Sequence, residues 1–183
     1  MERAYNLAVF EHGKKFYSTY LFQLTNNSYN ILSKKNRDLI LEIINMGHSV
    51  GLHFHLNGIT DINNIKNQIK KEIEIMGMML GEKIESFSIH RPITDVLRNA
   101  IKLEGIINAY DDLFFSFTED ILVNPPKIKY LSDARHHWNY GLEPNETTMK
   151  KYDKIQILVH PYSWTKNGYN NADNFKTLLT RQL

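Results

Sequence analysis

The chain of 183 residues is 42% hydrophobic and 23% charged, with a formal net charge of +2, which is typical of one globular domain and excludes disordered and fibrous proteins. Because it contains no cysteine, disulfides, thiolate metal sites and cysteine nucleophiles are excluded, and histidine and carboxylate side chains must hold any metal. The near-neutral charge gives no reason to expect a nucleic-acid partner, and no apolar run is long enough for a membrane span, so we expect a cytoplasmic protein with one domain over residues 1–183.

Four segments of the chain carry apolar residues at every third or fourth position, which is the spacing of a buried helix face. In chain order they comprise the opening residues up to Gly13, Ser33 to Gly47, Asp61 to Gly81, and Thr94 to Gly105. Each segment ends at a glycine, which is common at the end of a helix. Ser33 is in addition a good N-cap residue. The sequence therefore predicts four helices.

Six short runs rich in β-branched and aromatic residues lie outside these segments and predict strands. Strands that alternate with helices indicate βαβ units and a mainly parallel sheet or barrel, so the predicted class is α/β. A complete eight-fold barrel needs about 200 to 250 residues, which is more than this chain has. The six predicted strands are Phe16 to Phe22, Ser49 to His55, Ile84 to His90, Ile106 to Ala109, Lys129 to Ser132, and Ile155 to His160.

Residues suited to catalysis or metal binding stand at the ends of four predicted strands. In a parallel α/β fold the functional groups gather where the strands end and the following loops begin. We therefore expect one site to include the side chains that stand at these ends: His53, His55, His90, Arg91, Asp133 and His160.

Three of these histidines are candidate metal ligands. His53 and His55 are two positions apart on one strand, so their side chains point to the same side of the sheet. Neutral imidazole nitrogen suits zinc and similar divalent ions. His90 is a candidate third ligand or a substrate contact. For each histidine the alternative is a structural side chain that is satisfied by hydrogen bonds.

The other candidate residues are suited to orienting the substrate, transferring a proton or binding a sugar. Arg91 precedes a proline and either orients a substrate oxygen or forms a structural ion pair. His160 suits proton transfer near neutral pH, the alternative being a structural histidine, and Asp133 either orients it or begins a turn. Three aromatic residues are candidates for a wall that stacks on a sugar, although aromatic side chains are more often simply buried: Trp138, Tyr162 and Trp164.

The segments at these strand ends resemble, in their order and in their amino-acid sequences, those of the polysaccharide deacetylase family, also called the NodB-homology or carbohydrate esterase 4 group. The resemblance is closest to a branch found among surface-polysaccharide biosynthesis proteins, and it spans nearly the whole chain. The similar segments are Ser18 to Phe22, Gly47 to His55, Phe87 to Pro92, Asn108 to Tyr110, Tyr130 to Asp133 with Trp138, and Ile157 to Pro161.

The resemblance implies a distorted (β/α)7 barrel that hydrolyses an N-acetyl group on a sugar with one divalent metal, zinc being the expected ion. It implies that His53 is a metal ligand, that Arg91 orients the active-site carboxylate, and that His160 is the general acid. Asp133 and Trp138 correspond more loosely to the groove wall that positions His160. The implied partner is an N-acetylated carbohydrate.

The sequence departs from the family pattern in two places. The second metal histidine of the family falls here at Asn57, so His55 or His90 would have to replace it. The family's first motif, an Asp-rich strand end, precedes the helix with which this chain opens and has no counterpart here. We therefore expect a barrel that lacks its first strand, with weak metal binding and impaired activity. The alternative is a non-catalytic carbohydrate-binding or scaffold protein of the same fold.

Overall fold

The structure of the chain is a computed structural model that describes residues 1–94, 96, 101–111, 128–134, 138 and 143–163. The chain divides into two compact units, Met1–Asp111 and Asp112–Leu183, and each is described by itself. The expectation of a single domain over the whole chain stays a prediction.

The first unit is built around a parallel sheet of four strands. The strands follow one another across the sheet in the order β1-β2-β3-β4, and every neighbouring pair is parallel. Crossovers between parallel strands are right-handed as a rule, and in this sequential order they place the connecting helices on one face of the sheet. The α/β class is therefore confirmed. The elements are α1 Glu2–Gly13, β1 Thr19–Phe22, α2 Lys34–Asn45, β2 Ser49–His55, α3 Ile62–Leu80, β3 Ser86–His90 and β4 Ile107–Asn108.

The helices of the first unit begin and end where the sequence predicts. The side chain of Ser33 accepts a hydrogen bond from a backbone amide of the first turn of α2, and Asp61 does the same for α3. Gly81 ends α3 with a φ of +73°, a conformation that glycine adopts without steric cost. Of the segment predicted to be helical from Thr94, Val96 and Ile101 are buried, while Leu97 and Ala100 lie outside the described residues.

The core of the first unit lies between the helices and one face of β2 and β3. Leu52 and Phe54 of β2 and Phe87 of β3 are fully buried, and both α2 and α3 contact β2. Burying each of these side chains stabilises the fold by about 1.5–3 kcal/mol. Because a slip of one residue would expose all of them, this burial fixes the register of the strands. It also fixes which residues lie on the opposite face, namely His53, His55, Ser88 and His90.

The second unit contains a parallel pair of strands, β5 Lys129–Ser132 and β6 Ile155–Leu158. A short helix, α4 Glu146–Lys151, precedes β6, and a turn of 3-10 helix, Pro161–Ser163, follows it. Ser132 and Leu158 are register partners at the carboxyl ends of the two strands, so the residues that follow them emerge at the same edge. None of the described helices is both long and apolar enough to cross a membrane.

Four strands are shorter than predicted: β3 begins at Ser86 instead of Ile84, β4 spans only Ile107–Asn108, and the first and last strands each differ for a local reason. The first strand was expected from Phe16 but begins at Thr19, because the amide of Phe16 bonds to the carbonyl of Glu11 and completes the end of α1. The last strand was expected to reach His160 but ends at Leu158. The amide of His160 donates to a side chain instead of a backbone carbonyl.

Candidate functional site

A cluster of polar side chains, here called the histidine cluster, occupies the face of the sheet opposite Leu52 and Phe54, at the carboxyl ends of β2 and β3. It consists of His53, His55, Ser88 and His90. Parallel pairing sets His53 opposite Ser88 and His55 opposite His90. The three candidate metal histidines are therefore brought together, as expected for residues at the ends of neighbouring parallel strands.

Hydrogen bonds and ring contacts connect the histidine cluster. His53 Nδ1 lies 2.6 Å from Ser88 Oγ, and His53 Nε2 lies 3.0 Å from His90 Nδ1. The ring of His55 stacks on that of His90 with centroids 5.2 Å apart. The backbone amide of Asn57 donates to His55 Nδ1 at 3.0 Å. Each imidazole is thus fixed in orientation by at least one neighbour.

The spacing of His53 Nε2 and His90 Nδ1 fits two ligands of one divalent ion. Nitrogens that each bind zinc at about 2.0–2.1 Å lie about 3.4 Å apart at the tetrahedral angle and about 2.9 Å apart at a right angle. The observed 3.0 Å falls between these values, and it is also the length of an N–H···N hydrogen bond. Among the residues that the structure describes, no group of three or more His, Cys, Asp or Glu side chains is arranged to hold a metal.

A buried carboxylate on α3 was missed by the sequence analysis. Glu72 is only 4% exposed and bonds to Gln68. Burial raises the pKa of Glu72, while the hydrogen bond from Gln68 and the electrostatic interaction with His55 act in the opposite direction. The signal was present in the sequence, since position 72 falls within the apolar stripe of the helix.

Arg91 leaves the sheet directly after β3 in an unusual backbone conformation. Its φ is +48° and its side chain is exposed. A non-glycine residue in this region carries about 1–3 kcal/mol of strain, and such residues concentrate at functional sites. The strain sets the direction in which Arg91 leaves the strand. The predicted role of its guanidinium in orienting a carboxylate stays a prediction.

In the second unit, Asp133 and His160 form a hydrogen-bonded pair. Asp133 follows β5 and is 1% exposed. One of its carboxylate oxygens accepts the backbone amide of His160 at 3.0 Å, and the other accepts Nδ1–H of the ring at 2.6 Å. A buried carboxylate on Nδ1 fixes the tautomer of the imidazole and leaves Nε2 to exchange a proton. The arrangement can therefore perform general acid or base chemistry.

The aromatic candidates for sugar binding differ in how much the structure shows of them. Tyr162 is half-buried, and its ring centroid lies 5.9 Å from that of His160. Trp138 is also half-buried, while Trp164 lies outside the described residues. His48, which the sequence analysis did not place in the site, is buried between the carbonyl of Ala8 and the amide of Ser18 and has a structural role.

Comparison with known proteins adds no family assignment. No family model, curated protein or solved structure matches the chain. The functional conclusion therefore depends on the residues of the histidine cluster and of the Asp133–His160 pair.

Proposed function

We propose that the chain is a metal-dependent hydrolase that removes N-acetyl groups from a sugar or polysaccharide. The observation that carries the proposal is the pair of imidazole nitrogens of His53 and His90, 3.0 Å apart at the carboxyl edge of a parallel sheet. The resemblance of the strand-end segments to polysaccharide deacetylases supports an amide as the bond that is cleaved and a sugar as the substrate that carries it. The sequential order of the parallel strands supports the distorted (β/α)7 barrel.

His53 and His90 are the proposed metal ligands, and His55, whose ring stacks on that of His90, would have to reorient to become the third. All three are nitrogen donors, which suit zinc. A divalent ion at such a site supplies a Lewis acid for the amide carbonyl and activates water as the nucleophile.

His160 is the proposed general acid, which protonates the amine as it leaves the amide. Asp133 holds Nδ1–H of the imidazole, so that Nε2 carries the proton that is transferred when the ring is cationic. The buried carboxylate also holds the imidazole in one orientation, as it does in other Asp–His pairs. Arg91 is the proposed orienting cation, and the proposed sugar contacts are Trp138, Tyr162 and Trp164.

Equilibrium dialysis against zinc tests the metal site. We expect weak zinc binding by the wild-type chain and still weaker binding by His53→Ala and His90→Ala. His12→Ala, which removes an exposed histidine of α1, is the matched control and should bind zinc like the wild type. Equal zinc binding by all four proteins would contradict the proposed ligands. If oligomers of N-acetylglucosamine bind but release no acetate, the alternative of a non-catalytic carbohydrate-binding protein is favoured.

A further inference from the structure

We infer that Ser88 is a positioning residue that sets the tautomer of His53 and so makes its Nε2 atom a metal ligand; this inference rests on the proposed function. Ser88 lies directly opposite His53 in the parallel pairing of β2 and β3. Its hydroxyl is 2.6 Å from His53 Nδ1, and the residue is only 4% exposed. The contact is short, and little solvent reaches it.

The tautomer matters because a neutral imidazole carries one ring proton. When the proton is on Nδ1, the N–H donates to Ser88 Oγ, and the lone pair of Nε2 faces His90. When the proton is on Nε2, that atom donates to His90 Nδ1 and cannot bind a metal. A metal-binding His53 therefore needs a hydrogen-bond acceptor at Nδ1, and Ser88 Oγ is placed to accept.

The surroundings make the hydroxyl costly to replace. Ser88 sits between Phe87 and Ile89, whose side chains are buried on the opposite face of β3, so the burial of these neighbours holds its side chain on the face of His53. Without the hydroxyl, an Nδ1–H at this partly buried position loses the hydrogen bond to Ser88, and a buried donor without an acceptor is unfavourable. The imidazole then prefers the tautomer in which Nε2 carries the proton and donates to His90 Nδ1.

The opposite direction of the hydrogen bond between Ser88 and His53 would give His53 a different role. If Ser88 donates its hydroxyl proton to Nδ1, then His53 acts as a base toward Ser88, and His90 orients His53. Nucleophilic serines are activated by a geometry of this kind. The two arrangements require different tautomers of His53, so one spectroscopic measurement separates them.

The experiment combines imidazole NMR with zinc binding. Long-range 1H–15N spectra of the whole chain, labelled at histidine nitrogen, should show His53 protonated at Nδ1 in the wild type, both without metal and with zinc. Ser88→Ala should shift His53 toward the Nε2–H tautomer and weaken zinc binding about 10- to 100-fold, the usual loss when an outer partner of a metal ligand is removed. Ser88→Thr, which keeps the hydroxyl, should restore both properties.

The matched control is Ser86→Ala, which removes a hydroxyl from the same face of β3 and should change neither property. An Nε2–H tautomer in the wild type, or wild-type zinc affinity in Ser88→Ala, would overturn the inference. If the wild type binds no zinc, the proposed function fails. The spectra of the metal-free wild type and Ser88→Ala still decide whether Ser88 sets the tautomer.

Discussion

The substitution Asp133→Asn probes the Asp133–His160 pair while it keeps the shape of the side chain. Asparagine retains one oxygen and places an NH2 group where the second oxygen was. The oxygen can still accept the backbone amide of His160. The NH2 group then faces Nδ1, and the imidazole can only bond to it by moving its own proton to Nε2. We therefore expect the tautomer of His160 to invert.

The size of the effect follows from the two hydrogen bonds. Bonds to a charged group contribute about 1.5–3 kcal/mol each and neutral ones about 0.5–1.5 kcal/mol, so the loss of the charge costs about 2–3 kcal/mol over two bonds. Asparagine also avoids the desolvation of a carboxylate that is 1% exposed, which offsets part of this loss. We expect a net decrease of about 1–2 kcal/mol in the free energy of unfolding. An inverted tautomer should lower kcat for deacetylation about 10²- to 10⁴-fold.

Three measurements check this prediction. Urea unfolding gives the stability, long-range 1H–15N spectra give the tautomer of His160, and acetate release gives kcat. The control Asp153→Asn makes the same chemical change at an exposed position of the second unit and should leave all three unchanged. If the two variants behave alike and His160 keeps Nδ1–H in both, the reasoning is refuted.

Three further substitutions test the fold around the site. Gly51→Ala places a Cβ 2.6 Å from the carbonyl oxygen of Ser86 and against its hydroxyl, so urea unfolding should show a loss of about 1–3 kcal/mol; unchanged stability would contradict the close approach of β2 and β3. Because burial raises the pKa of Glu72, stability is lost as pH rises through the folded pKa, and Glu72→Gln should be more stable than the wild type at pH 8 but not at pH 4. Exposed Glu74→Gln is its control and should show no such trend. Asp61→Ala removes the cap of α3 and should lower the free energy of unfolding by about 1 kcal/mol. Unchanged stability would mean that the cap is not formed.

The local elements could be predicted from the sequence because their signals are local. Ser33, Asp61 and Gly81 are cap residues within one turn of the helix that they bound, and the spacing of apolar residues identifies the buried faces. The strand from Ser49 to His55 was predicted with its observed bounds. The alternation of buried residues along it also indicated correctly that His53 and His55 share a face.

The contacts between elements could not be predicted in the same way. The bond between His53 and Ser88 depends on the register of β2 against β3, which the packing of both strands on the helices decides. The burial of Glu72 depends on how α3 lies on the sheet, and an acidic residue in an apolar stripe is compatible with exposure at its edge. The early end of the last strand depends on Asp133, which is distant in sequence from His160.

The most direct test of the proposed function is the release of acetate from N-acetylglucosamine oligomers by the chain loaded with zinc. We predict acetate release that stops when a chelator removes the metal, returns when zinc is added back, and is lost in His160→Ala although that variant still binds zinc. Acetate release that is unaffected by the chelator, or no release from a chain that carries one zinc, would contradict the account.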